Sequence, residues 1–353
     1  MIVDDMVRTP GSWLGMKKPT GIVISSRIRL ARNIEGVAFP GWAGEQERVQ
    51  LLARLKGCFT SLASMPNTLV LEMAELAETD RDVLRERHLI SQELAERGSG
   101  SALAISPDEQ IAIMVNEEDH LRLQAIAPGM QLRDIWDKIN AVDSEIEDLF
   151  GYAFSPQLGY LTACPSNVGT GLRASVMMHL AGLRLTNEVE SVINGLEKIG
   201  LTVRGLWGEG TEAYGNMFQV SNQQTLGHSE AQIIDAFIEL VTEVTQHEKN
   251  ARARLAESQR VNLIDWVARA YGLLKNARIM SSQEKADLLS ALRLGIEMGY
   301  VGGVDIADIN QIMLMGQPGH LQKSTGRVLG PEERDTLRAR LTRNKLQNAK
   351  LLE

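Results

Sequence analysis

Apolar and polar positions change period several times along the chain, and each change predicts an element. After an irregular start rich in Gly and Pro, "GIVISSRIRLARN" sets the contiguous β-branched residues Ile22, Val23 and Ile24 ahead of an Arg-studded run, which reads as a strand. The spacing over residues 45–63 predicts a helix. Then "NTLVLEMAEL", "SALAIS", "QIAIMVNEEDH" and "LRLQAIA" read as short strands, with a helical piece over 80–88 between the first two. A helix fits 132–149, and a second is expected over 172–180, entered through a tight turn at Gly169 and Gly171. "LTVRGLW" and "NMFQVSN" read as two further strands.

From about Ser229 the pattern becomes helical and stays so, with expected helices over 261–277, 282–298, 306–315 and 331–346, the last opening with Pro in its first turn. The chain therefore divides into an irregular segment over 1–20, a mixed unit over 21–255 and a helical unit over 256–353. The fold class is α+β.

With 353 residues, 44% hydrophobic and 23% charged, the chain has material for a large core and most naturally for two domains. A net charge of −8 argues against a sequence-independent nucleic-acid binder, which needs a dominant basic face. Cys58 and Cys164 lie far apart without CxxC spacing, so neither a disulfide framework nor a zinc site is expected, and no metal-ligand cluster stands out. Nowhere do eighteen apolar residues run together, and the N-terminus has no apolar signal core, so a cytoplasmic chain with no membrane association is expected.

The candidate chemistry begins with arginines. Arg27 and Arg29 are two apart on an expected strand and share a face; Arg122, Arg173 and Arg204 fall at other strand ends or turns. Taken singly each reads as solvated surface, but together they suit a polyanion such as a nucleoside triphosphate. No GxxxxGK[ST] or dinucleotide fingerprint accompanies them. The helix expected after Gly171 would add free amides suited to phosphate. Carboxylates in "NEEDH" and "GEGTE" end apolar strands. Beside arginines, such a group can align a guanidinium acceptor and deprotonate its attacking nitrogen. Cys164 reads either as a small buried hydrophobe or as a thiolate adding negative charge beside such an acceptor. His88, His120 and Trp207 read as packing or hydrogen-bonding residues.

In order, "SSRIRLARN", "NEEDHLR", "CPSNVGTGLRASV" and "RGLWGEGTE" resemble the catalytic-domain motifs of the phosphagen (guanidino) kinases, and within them the bacterial protein-arginine kinases. The resemblance implies an antiparallel sheet flanked by helices, followed by a small all-helical domain. It implies transfer of the γ-phosphoryl group of ATP to a guanidinium, with Mg²⁺ held by phosphates and water. By motif position it assigns Glu118 as the catalytic carboxylate, Cys164 as the reactive-site thiol and Glu212 as the second gripping carboxylate, with Glu209 its close rival. ATP would meet Ser25, Ser26, Arg27, Ile28 and Arg29, then His88 and Arg122. It would also meet Arg173, Ala174, Ser175, Val176 and Met177, and Arg204, Gly205, Leu206, Trp207, Gly208 and Glu209.

Two departures from the metabolite kinases shape the expected substrate. Trp207 stands where they carry a phosphate-binding arginine, and only about twenty residues precede "SSRIR", where they carry a sizeable helical domain. An open acceptor site, fit for a protein-borne arginine, is the expectation. In "PEERDTLRARL", Arg334, Asp335, Arg338 and Ala339 match an RDxxRA motif of the bacterial branch. That implies a phosphoarginine pocket in a helical domain that also dimerises, and spacing of four puts both arginines on one helix face. The resemblance further implies marking of proteins for the Clp protease in a stress response, with a zinc-finger activator as a candidate partner. A small-molecule guanidino kinase and a non-catalytic phosphoarginine-binding adaptor are the alternatives; intact Glu118, Cys164 and Arg173 speak against the adaptor.

Overall fold

The computed structural model describes residues 2–11, 13–14, 21–205 and 213–352. In chain order the elements are α1 (Ile2–Met6), β1 (Val23–Arg32), α2 (Glu45–Phe59), β2 (Leu69–Glu72), α3 (Glu78–Glu86), α4 (Gln92–Ala95), β3 (Ala102–Ile105), β4 (Ile111–Val115) and β5 (Leu121–Pro128). There follow α5 (Leu132–Phe150), the short pair β6 (Phe154–Ser155) and β7 (Gly159–Tyr160), β8 (Leu172–His179), α6 (Ala181–Leu185), α7 (Val189–Lys198), β9 (Leu201–Gly205) and β10 (Met217–Asn222). The rest comprises α8 (Glu230–Ser258), α9 (Arg260–Asn276), α10 (Ser282–Glu297), β11 (Val301–Gly302), α11 (Ile306–Met315), α12 (Pro318–Thr325), α13 (Pro331–Lys345) and β12 (Lys350–Leu351).

Eight strands form one antiparallel sheet in the order β2-β3-β4-β5-β1-β8-β10-β9. The expected α+β class with an antiparallel sheet and flanking helices is what the chain adopts. Period-two alternation explains its two faces. Ile28 and Leu30 of β1, Leu121 and Leu123 of β5, Leu172 and Ala174 of β8 and Phe218 and Val220 of β10 join the main core with Ile135, Ile139 and Ile146 of α5 and Phe237 of α8. On the opposite face, α1, α3 and α4 cover the β2–β4 end through Val3, Met6, Val83, Leu84 and Leu94. Strands β1, β5, β8 and β9 carry arginines there instead.

One expectation fails. Residues 172–180 do not form a helix: Leu172–His179 is β8, paired on one side with β1 and on the other with β10. Leu, Arg, Ala and Met are good helix formers, so local preference pointed the wrong way, and two neighbouring ladders overrode it. The Gly169 and Gly171 turn therefore caps no helix, and the helix-terminal amides expected for phosphate are absent there. The start of the chain is also more ordered than expected, because the single turn α1 packs on α3 through Val3, Met6 and Val7.

Beyond β10 the chain is helical apart from the two-residue ladder of β11 with β12. Helix α8 runs past Leu255 to Ser258, and α9 begins at Arg260. Val267, Leu289, Leu292, Ile309, Ile312 and Ala339 form the centre of this second core. Helix α10 docks on the β8 and β10 ends: Ser290 Oγ lies 2.8 Å from both His179 Nε2 and Asn216 Nδ2, and Gly215 N donates to Asp287 Oδ1 at 2.8 Å. No helix among the described residues is long and apolar enough to cross a membrane.

Candidate active site

Ladder register assembles the site. Across β1 and β8, Arg29 faces Arg173 and Arg27 faces Ser175; across β1 and β5, Arg29 faces Gln124 and Ala31 faces Arg122. Ser175 faces Ser221, Met177 faces Gln219, and Gln219 faces Arg204. Directly opposed residues share a face, so one surface carries Arg27, Arg29, Arg122, Arg173 and Arg204 together. Arg32, one place out of step, points the other way. It is buried, donates from Nε and Nη2 to Asp143 Oδ2 at 3.1 and 2.8 Å, and lies 3.7 Å over the Tyr160 ring.

The arginine face is under-compensated. Arg122 is paired, donating from Nη1 to both Glu117 oxygens at 2.7 and 2.8 Å. Among the described residues Arg27 has only neutral partners, Gln219 Oε1 at 2.6 Å and Ser175 Oγ at 3.5 Å; Arg173 donates to Ser221 Oγ at 3.1 Å. The Nε atoms of Arg29 and Arg173 are buried without a partner among the described residues. Arg204, at the exposed edge, makes no hydrogen bond or ion pair with the described residues. Burial, followed by the charges of Arg122 and Arg173, pulls the Arg27 guanidinium down to about 10. Burial also drives Arg29 well below its usual value, reinforced by Arg27, Arg122 and Arg173. A fold that holds mutually repelling cations with a single carboxylate partner, Glu117, among the described residues is suited to receive an anion.

Glu118 sits exposed at the tip of the β4–β5 hairpin, between fixed neighbours. Asn116 enters the turn at φ 54°, with Nδ2 donating to Gly100 O at 2.7 Å and Arg48 O at 3.1 Å. His120 closes it, accepting from Ile34 N at Nδ1 (3.0 Å), with Nε2 against Ala38 O at 2.9 Å. Asp119 accepts from Asn33 Nδ2 at 2.6 Å and from Ala163 N at 2.7 Å, so it ties the Glu118 turn to the residue before Cys164. Burial, then the charges of Asp119 and Glu117, raises the Glu118 carboxyl. Burial opposes the charge of Glu117 too, but Arg122 and Ser91 hold its carboxyl below the usual range.

Cys164 is half-buried, with Sγ 3.0 Å from Ser166 Oγ. Its loop is set by close backbone approach: a Cβ at Gly171 (φ +63°) would lie 2.6 Å from Ala31 O, and one at Gly169 (φ +113°) 2.3 Å from Thr225 O. At the other end of the row, His88 is half-buried at φ 59° beside Trp13, with ring centroids 5.1 Å apart. Burial, then Arg27, lowers its imidazole to about 3, so it is neutral at physiological pH.

The structure thus brings the side chains of Ser25, Arg27, Arg29, His88, Arg122, Arg173, Ser175, Met177 and Arg204 to one face, with Glu118 and Cys164 at its end. Ile28, Ala174 and Val176 alternate into the opposite core, and Ser26 spends its hydroxyl on Gly129 O and Gln131 N. Gly205 ends β9; Leu206, Trp207, Gly208, Glu209 and Glu212 lie outside the described residues. Arg334, Asp335, Arg338 and Ala339 are on α13, outside the sheet that carries this face. Arg338 is buried there, donating to Gly316 O and Met280 O at 2.8 Å each and pairing with Asp335, while Ala339 is in the second core.

The family model described as the ATP:guanido phosphotransferase C-terminal catalytic domain matches residues 51–251, and the protein-arginine kinase McsB C-terminal domain model matches 260–352. A protein-arginine kinase of Desulforamulus reducens is 43% identical over 353 residues, spanning 99% of each chain. Those of Pelotomaculum thermopropionicum and Moorella thermoacetica are 44% and 45% identical, each covering 95% of this chain and 96% and 97% of theirs. The chain belongs to the protein-arginine kinase family. As a member of that family it is a guanidino phosphotransferase that uses ATP. In fold it is similar to a lombricine kinase, with a TM-score of 0.58 and 24% identity over 71% of this chain and 76% of that one. A taurocyamine kinase of Schistosoma mansoni gives 0.56 at 24% identity, over 66% of this chain and 33% of that one.

Sequence reasoning about this protein-arginine kinase family member missed Gln219 and Ser221, although polar residues two apart in the otherwise apolar "MFQVSN" carried the signal. It also missed Trp13, Met313 and Leu314, which no local pattern could join to β1.

Proposed function

We propose that this kinase phosphorylates arginine side chains of proteins, with ATP lying along the arginine row. Arg29, Arg122 and Arg173 surround the transferring phosphoryl group, and Arg27, Ser175 and Gln219 hold the chain toward the ribose. Mg²⁺ would accompany ATP and supply charge neutralisation at the phosphates rather than be held by side chains; Glu117, the carboxylate beside the row, is spent on Arg122 and Ser91. Glu118 accepts the proton that an acceptor guanidinium nitrogen loses as its bond to γ-phosphorus forms and the bond to the β-phosphate oxygen breaks, releasing ADP. Cys164 and a second carboxylate, Glu212 or Glu209, complete the grip on the acceptor.

The observation that supports this reading is the join of Asp119 to Ala163, which links the exposed Glu118 turn to the Cys164 loop, beside arginines whose Nε atoms lack partners among the described residues. An exposed hairpin tip is accessible to an arginine borne on a polypeptide. The rest of the reading stands on family resemblance. It comprises separate units over 21–255 and 256–353, an RDxxRA phosphoarginine pocket on a dimerising helical unit, and a cytoplasmic role marking proteins for Clp degradation under stress, with a zinc-finger activator.

Incubating the purified chain with ATP, Mg²⁺ and an unfolded protein should give acid-labile phosphate on arginine. Phosphorylation of free arginine alone would instead make it a metabolite kinase.

A further inference from the structure

The Ser25 end of the arginine row opens into a cleft of about 60 Å³ whose walls come from three separated parts of the chain. Trp13 and Leu14 from the N-terminal segment, Ile126 of β5 and Leu314 of α11 form a buried apolar cluster there. Trp13 is fixed by Nε1 donating to Arg87 O at 3.2 Å, and Arg87 in turn holds Met6 O and Thr9 O. An apolar cleft that runs into a cationic row at Arg27 and is lined by Trp13 and His88 has the polarity of a nucleobase site.

Two amides also line it, and their orientation is fixed by their partners. Asn310 of α11 accepts from Arg293 Nη1 through Oδ1 at 2.8 Å, which leaves Nδ2 without a partner among the described residues. Gln317, just past α11, donates through Nε2 to Met313 O at 3.2 Å, which leaves Oε1 likewise without one. Among the described residues, the cleft lining therefore presents one unpaired donor and one unpaired acceptor. Adenine offers the complement, an N6 amino donor beside a ring-nitrogen acceptor, whereas guanine offers two acceptors on the corresponding edge.

We propose that the helical C-terminal region reads the nucleobase of the phosphoryl donor, with Asn310 and Gln317 selecting adenine over guanine. The proposal rests on the arginine row being the nucleotide site. It gives α11 a direct part in nucleotide choice, although it lies outside the catalytic motifs.

The test is the affinity of the full-length chain for Mg·ADP and Mg·GDP, by calorimetry or by Trp13 fluorescence, in wild type, Asn310→Asp and Gln317→Met. Asn310→Asp keeps the partner of Arg293 while replacing the free donor with an acceptor, and Gln317→Met keeps volume while deleting the free acceptor. Wild type is expected to favour ADP by at least about tenfold, and each variant to weaken ADP binding about tenfold while leaving GDP nearly unchanged. An unaltered ADP-to-GDP ratio in both variants overturns the proposal, as does a wild type that binds both nucleotides equally. A wild type that binds neither sinks the reading of the arginine row as well. If Asn310→Asp lowers the melting temperature, Gln317→Met alone decides.

Discussion

Arg29 of β1 and Arg173 of β8 stand directly opposite each other in an antiparallel ladder, each with a buried Nε that finds no acceptor among the described residues. Opposed residues sit about 5 Å apart at Cβ, a separation at which like charges destabilise a sheet. The main core behind the sheet and the ladders on both sides of β1 and β8 hold the pair in place. On the proposed function, a bound polyphosphate relieves that repulsion.

Relieving that repulsion should trade binding for stability. Arg29→Met is expected to raise the melting temperature by about 2 °C or more and to weaken ATP binding at least about 100-fold. Calorimetry of both states checks it; a less stable variant with normal ATP affinity would refute the cradle.

Glu118→Gln should leave nucleotide affinity unchanged and lower turnover by roughly 10²- to 10⁴-fold. The base must be ionised, and burial with Asp119 and Glu117 raises its carboxyl. The acid limb of the rate profile should therefore lie above the ordinary carboxylate range of about 4.3, with activity lost as pH falls through it. A limb that persists unchanged in Glu118→Gln would assign it to another group.

Gly171→Ala puts a Cβ 2.6 Å from Ala31 O at a φ of +63°. The strain should cost about 1–3 kcal/mol in denaturant unfolding and lower turnover, because the Cys164 loop can no longer close on β1. Wild-type stability and rate in this variant would show the close approach to be dispensable.

Lys285 of α10 is buried, donates to Met313 O at 3.0 Å, and is lowered to about 7 by burial and then Arg338, against an opposing contribution from Glu86. Its folded value is below the unfolded one, so the unfolded chain binds more protons between pH 7 and about 10.4, and stability from this group rises with pH across that window. Lys285→Met should flatten the change in melting temperature between pH 7 and 9. An equally steep profile in the variant would remove Lys285 as its source.

Most of the elements were legible because each carries its own period. The alternation in "SSRIRLAR" already put Arg27 and Arg29 on one face, and α11 runs over the residues expected of it. Failure came where local preference and partners disagree. "LRASVMMH" is made of good helix formers, yet it fills the gap between β1 and β10, where only a strand satisfies two sets of backbone groups. Arg32 looked like its neighbours; its burial against Asp143 depends on α5, more than a hundred residues away.

By itself, the sequence determined the family, the antiparallel α+β class and the residue types of the site, since motifs and periodicity are local properties. Which arginines converge, which stay unpaired, and that Trp13, Ile126 and Leu314 close one cleft were decided by the tertiary structure alone. Ladder register and helix docking join residues that are distant in the chain, and neither is encoded in a short stretch of it.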